Sequence, residues 1–167
     1  YGQDTDAGCA ISKWAPQNGQ RTIVYQSGSE CAAHRTFIAD DSATLTVVEN
    51  DHLVITDLTG AGETATVAMP TAQIQQKLTA LVEREAQALR LQNPNTEPDL
   101  RWMNAAPSAV GRLDSGAVAV AISTATPADA TATYLYVRSN DDTWTMENEK
   151  ICARFDDNCS WPEIDGR

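Results

Sequence analysis

From Ala43 onward the chain alternates apolar and polar positions. Ala43, Leu45 and Val47 fall on one face and Thr44 and Thr46 on the other, the period of a half-buried strand. Asn50-Asp51 supplies a tight turn, a second strand is predicted from His52 to Leu58, and Thr59-Gly60-Ala61-Gly62-Glu63 reverses the chain into a third from Thr64 to Met69. These strands make a β-meander over 43–69. The period changes after Pro70. Ile74, Leu78, Leu81, Val82 and Leu89 recur at steps of three, four and seven, with Gln75, Gln76, Lys77, Glu83, Arg84 and Arg90 on the other side, which predicts one amphipathic helix over 71–91. Thr71 is placed to cap it, because its hydroxyl can accept a bond from a first-turn amide. Two prolines in Asn93-Pro94-Asn95-Thr96-Glu97-Pro98-Asp99 prevent the helix from continuing, so a long exposed loop is expected there.

Further strand signals follow at Leu100 to Met103, Val110 to Leu113, Ala117 to Ser123, Thr131 to Arg138 and Thr143 to Met146, a second meander over 100–146. Asp114-Ser115-Gly116 reads as a hairpin connection in which Gly116 takes the positive φ such turns require. The opening segment 1–42 is rich in Gly, Ser, Gln and Asp. It reads as loop-rich, with one clear strand from Thr22 to Gln26, in which Ile23 and Tyr25 alternate with Val24, and a short one from Thr36 to Ala39. The segment 147–167 is expected to begin with a helical turn and end as a disulfide-held tail. Together these signals predict a single α+β domain over 1–167: an antiparallel β-sheet built from two meanders, one main amphipathic helix packed on it, and disulfide-stapled ends.

Four cysteines stand as one pair near each end, Cys9 with Cys31 and Cys152 with Cys159. Loop closure favours pairing within each end over a bridge between the ends. The alternative is four buried thiols in a cytosolic chain. The chain opens at Tyr1 without an initiator methionine or an apolar leader, the form of an exported protein after signal removal or of a trimmed chain. With paired cysteines this points to the periplasm or the medium.

Composition narrows the function. The 167 residues include 23 acidic and 12 basic side chains, a formal charge of −11. That excess would repel a phosphate backbone, so nucleic acid is not an expected partner. No apolar run approaches the roughly 18 residues of a membrane-spanning helix, so no membrane span is expected.

Catalytic motifs can be tested by subtraction, since His34 and His52 are the two histidines. Neither has a second histidine at metal-binding spacing, and the cysteines lack C-x-x-C pairs, so no metal is expected. No G-x-S-x-G elbow, P-loop or dinucleotide fingerprint is present, and no cofactor is implied. Cys31 beside His34 is the one local nucleophile pairing, and a disulfide at Cys31 removes it. Trp14, Trp102 and Trp161 flank loops and are expected to be partly exposed, whereas Trp144 falls in an alternating strand and reads as core.

The sequence therefore predicts an exported acidic binding protein whose partner is another protein of basic character. Its most economical role is a periplasmic inhibitor or immunity protein that blocks a cell-wall or toxin hydrolase by loop insertion or surface contact. The candidate contact residues are Asp114, Ser115 and Gly116 at the hairpin tip and Asn95, Glu97 and Trp102 in and after the loop. The alternatives are an envelope protein that binds a small ligand or serves a structural role, and a hydrolase of unrecognised type.

Overall fold

The computed structural model describes residues 2–5, 8–30, 35–39, 43–59, 63–95, 105–113, 115–126 and 130–153. Within them the chain is mostly antiparallel sheet with one helix, an α+β arrangement. It divides into two compact units, Tyr1–Met69 and Pro70–Arg167.

The first unit holds seven of the strands, in two sheets. β1 (Gly2–Thr5), β2 (Gly8–Ala15) and β3 (Gln20–Ser27) form an antiparallel sheet in that order. The opening segment is thus not loop-rich as its composition suggests. Its apolar alternation runs through Cys9, Ile11 and Ala15, but Ser12, Lys13 and Trp14 disguise it, because Lys13 and Trp14, on opposite faces of β2, are both exposed. The predicted meander forms the second sheet, in which β4 (Arg35–Ile38), β5 (Thr44–Glu49), β6 (His52–Asp57) and β7 (Thr64–Ala68) pair in sequence order. Cys9, Ile11 and Tyr25 from the first sheet cluster with Leu45 and Val47 from the second, and Val24, Val54 and Leu58 pack around them. At roughly 2 kcal/mol for each large aliphatic side chain removed from water, this cluster is a principal source of the unit's stability.

A β-bulge shapes β3. Ile11 pairs with Tyr25 but Ser12 pairs with Ile23, so Val24 is the extra residue. Past the bulge the facing of β3 inverts. Ile23 therefore does not share the buried face of Tyr25, as simple alternation predicts: Tyr25 is 7 % exposed and Ile23 58 %.

The second unit begins with α1 (Thr71–Gln92), one residue longer than its apolar stripe predicts. Pro70, not Thr71, occupies the N-cap position, and no side chain caps the helix. Proline fixes its own φ and cannot donate a hydrogen bond, so the turn before the helix is set one residue earlier than the hydroxyl signal suggests. The sheet that follows has the order β11-β10-β9-β8, comprising β8 (Ala106–Arg112), β9 (Val118–Ala125), β10 (Ala130–Arg138) and β11 (Trp144–Ala153). The two meanders hence form separate sheets instead of one. The Gln73 amide donates to the Trp144 carbonyl at 3.1 Å and the Lys77 ammonium lies 3.8 Å from Glu149, tying α1 to β11. Trp144 is half-buried.

The expected helical turn at Glu147 is absent, because β11 continues through it. A register shift opposite Leu135 and Tyr136 leaves Glu147 as an extra residue, and pairing resumes with Asn148 opposite Leu135. That bulge breaks the alternation from which a strand would have been read. Beyond residue 153 the expected tail lies outside the described residues, as does Leu100–Met103. Cys9 and Cys152 are disulfide-bonded and not free thiols. Cys31 and Cys159 lie outside the described residues, so the stapling of the two ends is not part of the described fold.

Two stability predictions follow from local geometry. Gly8 has φ +109°, and a Cβ there would stand 2.1 Å from the Ser27 carbonyl oxygen, whereas one at Gly28 would meet nothing within 4 Å. Gly8→Ala should cost about 3 kcal/mol in chemical denaturation and Gly28→Ala no more than about 0.5 kcal/mol. Equal costs would refute the close approach of β2 to the end of β3. The Tyr136 hydroxyl, on a side chain 1 % exposed, has no hydrogen-bond partner among the described residues, and burial pushes its pKa up to about 12. Tyr136→Phe should leave stability unchanged or raise it by about 1 kcal/mol, since it removes an unsatisfied donor without opening a cavity. A clear loss of stability would show that the hydroxyl is bonded.

Candidate functional site

Two features of the first unit bring together side chains with chemistry to offer. The first is a polar cluster at the β5–β6 turn. Asn50 adopts φ +45°, closing a two-residue connection in which Glu49 pairs with His52. Glu49 and His52 thereby share the face of β5 and β6 that carries Leu45 and Val47. Tyr25 reaches this face from β3, and its hydroxyl donates to Glu49 Oε1. The other carboxylate oxygen lies 2.9 Å from His52 Nε2, and His52 Nδ1 lies 3.1 Å from Asp51 Oδ1.

A neutral imidazole has one donor and one acceptor nitrogen. With a carboxylate at each nitrogen, the ring is satisfied only as the imidazolium. The hydrogen bond to Asp51 accordingly does most to raise the His52 pKa; burial opposes it, and the bond to Glu49 adds a smaller rise. The bond to His52 in turn lowers that of Asp51. Burial first, then the bond to Glu49, pushes Tyr25 up to about 12. A histidine held protonated on both sides is a poor general base. The cluster's chemistry is that of a clamp: Glu49 joins a side chain of the first sheet to one of the second.

The second feature is the outer half of the β2–β3 hairpin. Trp14 pairs across the strands with Arg21, and Ser12 with Ile23, so all four share a face. Trp14 is 61 % exposed and Ile23 58 %. The tip, Pro16-Gln17-Asn18-Gly19, is held by its own bonds. Asn18 N and Gly19 N donate to the Ala15 carbonyl at 3.3 and 2.9 Å, and Asn18 Oδ1 accepts from Gln20 N at 2.9 Å. Gly19 supplies the positive φ of +69° that closes the turn. At the ribbon's base the Lys13 ammonium donates to the Leu58 carbonyl.

The contact residues chosen from the sequence are placed elsewhere. Ser115 and Gly116 form the exposed β8–β9 turn, where Gly116 has the expected positive φ of +82° and its amide donates to the Leu113 carbonyl at 2.8 Å. The Ser115 hydroxyl accepts from Ala117 N at 3.4 Å. Asn95 is exposed past the end of α1. Asp114, Glu97 and Trp102 lie outside the described residues, as do His34 and Trp161. Sequence reasoning missed Tyr25, Glu49 and Asp51 as a group, because their meeting depends on packing between two sheets. It also passed over the hairpin, although a signal was present: no acidic residue stands between Asp6 and Glu30, a stretch that carries Lys13, Trp14 and Arg21.

Among the described residues no group of His, Cys, Asp or Glu side chains is arranged to hold a metal ion, and no helix is long and apolar enough to cross a membrane. Comparison with protein-family models, curated proteins and solved structures finds no match.

The clamp has a testable pH dependence. Because the folded His52 pKa is raised above its ordinary 6.5, its contribution is complete below that value and is lost as pH rises through the folded pKa. The depressed Asp51 pKa gives the opposite limb, present above its ordinary 3.8 and lost as pH falls through the lower folded value. Thermal unfolding should show a higher midpoint at about pH 5.5 than at about pH 8.5, and the difference should shrink in His52→Gln. An identical pH profile in the variant would remove His52 from the linkage.

Proposed function

We propose that this chain is an exported acidic binding protein, an inhibitor or immunity protein of the cell envelope that blocks a basic cell-wall hydrolase by loop insertion or surface contact. In this reading, disulfides Cys9–Cys31 and Cys152–Cys159 close its two ends, in keeping with the oxidised state of Cys9 and Cys152.

The observation that carries the reading is the unbalanced charge. Pairing within the fold takes up one charge of each sign, as Lys77 with Glu149, Arg84 with Glu85 and Arg138 with Asp142 do. Such pairing cannot reduce the excess of eleven negative charges. Among the described residues no acidic side chain is buried, and an excess of this sign at the surface accelerates encounter with a basic protein and disfavours approach to anionic polymers. An enzyme working on an anionic cell wall benefits from a basic surface, so an acidic protein can occupy that surface in place of substrate.

The test uses two purified basic peptidoglycan hydrolases, a c-type lysozyme and an N-acetylmuramoyl-alanine amidase. Stoichiometric inhibition of at least one is expected, with affinity falling about tenfold or more as NaCl rises from about 50 to about 300 mM. Failure to bind either enzyme at low salt overturns the reading.

A further inference from the structure

We propose that the β2–β3 ribbon is the inhibitory element, and that it enters the carboxylate-lined cleft of a glycoside hydrolase with Arg21 facing the enzyme's acidic pair. This rests on the inhibitor reading and names the kind of hydrolase that fits.

Four observations carry it. The ribbon has the opposite sign to the rest of the chain: from Ala7 to Ser29 there are two cations, Lys13 and Arg21, and no anion, within a protein of charge −11. Its exposed face is apolar where it matters. Trp14 and Ile23 are both more than half exposed, and it is the Val24 bulge that turns Ile23 out to join Trp14. Bulges that re-aim a side chain are found where pairing yields to function. The tip is rigid before any partner arrives, since Pro16 fixes a backbone angle and Ala15, Asn18, Gly19 and Gln20 hydrogen-bond among themselves. A preformed tip loses little conformational freedom on insertion. Finally, the ribbon is narrow and reaches out. Its strands lie about 5 Å apart, and Ala15 stands about 13 Å along the strand from Ile11, the last buried residue of β2.

Charge complementarity selects the occupant. A glycosidase cleft holds two carboxylates about 5 to 9 Å apart and is shaped for a chain of sugar rings. A guanidinium can engage one or both carboxylates, while an indole and an aliphatic side chain cover the apolar faces that sugar rings would meet. A metal-dependent amidase offers a cation at the same point and repels Arg21. The acidic body then meets the basic rim while the cationic ribbon meets the acidic floor.

The experiment titrates c-type lysozyme activity with the full chain and with Trp14→Ala and Arg21→Glu, alongside the amidase and a chito-oligosaccharide competitor. Lysozyme inhibition should weaken about tenfold or more in each variant, as expected for buried aromatic and arginine anchors. The oligosaccharide should compete with the full chain, and the amidase should be unaffected. Circular dichroism and the thermal midpoint should match the parent, because both positions are exposed. If the parent inhibits lysozyme and both variants inhibit it within about twofold, the ribbon is not the inserted element although the inhibitor reading stands. If the parent binds neither enzyme, that reading itself has failed. Ribbon-dependent inhibition of the amidase would overturn the carboxylate-cleft assignment. So would concentration-dependent self-association abolished by Arg21→Glu, which would make a second copy of the acidic chain the occupant.

Discussion

The first unit is organised by one contact, the packing of Cys9, Ile11 and Tyr25 against Leu45 and Val47. Full burial on β2 ends at Ile11; beyond it Ser12 and Ala15 are half-buried, and Lys13, Trp14 and the hairpin tip are left to solvent. On β3 the same contact demands both Tyr25 and the partly buried Val24, consecutive residues that a regular strand would point to opposite faces. The bulge resolves that conflict, and Ile23 is turned outward as its consequence. The contact also brings Tyr25 to Glu49, since Leu45, Val47 and Glu49 lie on one face of β5. Core packing, the exposed apolar pair and the polar clamp are therefore three results of one constraint.

Charge acts over a different range. In physiological salt the field of the summed excess of acid decays over about 8 Å, so in the proposed complex it would steer a partner's final approach but contribute little specificity once surfaces meet. Specificity needs buried, shaped contacts, and the exposed face of the ribbon supplies the kinds of residue that form them. An acid-free ribbon on an acidic body separates the two tasks. In the proposed complex the body would set the encounter rate and the tip the fit. A ribbon carrying carboxylates would be turned away from an acidic cleft however well the body docked.

Much of the fold was legible where a strand is buried on one or both faces and unbroken. β5, β6, β9 and β10 have residues that alternate or are continuously apolar, and their predicted limits fall within one or two residues of those observed. Legibility failed at the bulges. Glu147 interrupts β11 and Val24 interrupts β3, and each shifts the facing of the residues beyond it, so a rule of period two reads the wrong side or stops early. β2 was missed for a related reason: its inner half is buried and its outer half is not, so no single pattern spans it. The hairpin tip Ser115-Gly116 was found because a glycine with positive φ is a local requirement. The Tyr25–Glu49–His52 cluster was not found, since residues 24 positions apart in sequence meet only once two sheets are stacked.

That cluster also bears on the choice between contact and catalysis. A histidine next to a carboxylate is the usual start of an acid–base site, and His52 has two such neighbours. Activation, however, requires one ring nitrogen to keep a lone pair for the incoming proton while the other is oriented by its carboxylate. Here both nitrogens face carboxylate oxygens, which favours the doubly protonated ring and raises its pKa. Glu49 is equally committed, with one oxygen to Tyr25 and the other to His52. The Tyr25–Glu49 bond holds β3 to the β5–β6 turn, and the His52 contacts to Glu49 and Asp51 brace the turn itself. The arrangement braces the base of the β2–β3 ribbon, and in the proposed complex that would contribute to binding through preorganisation.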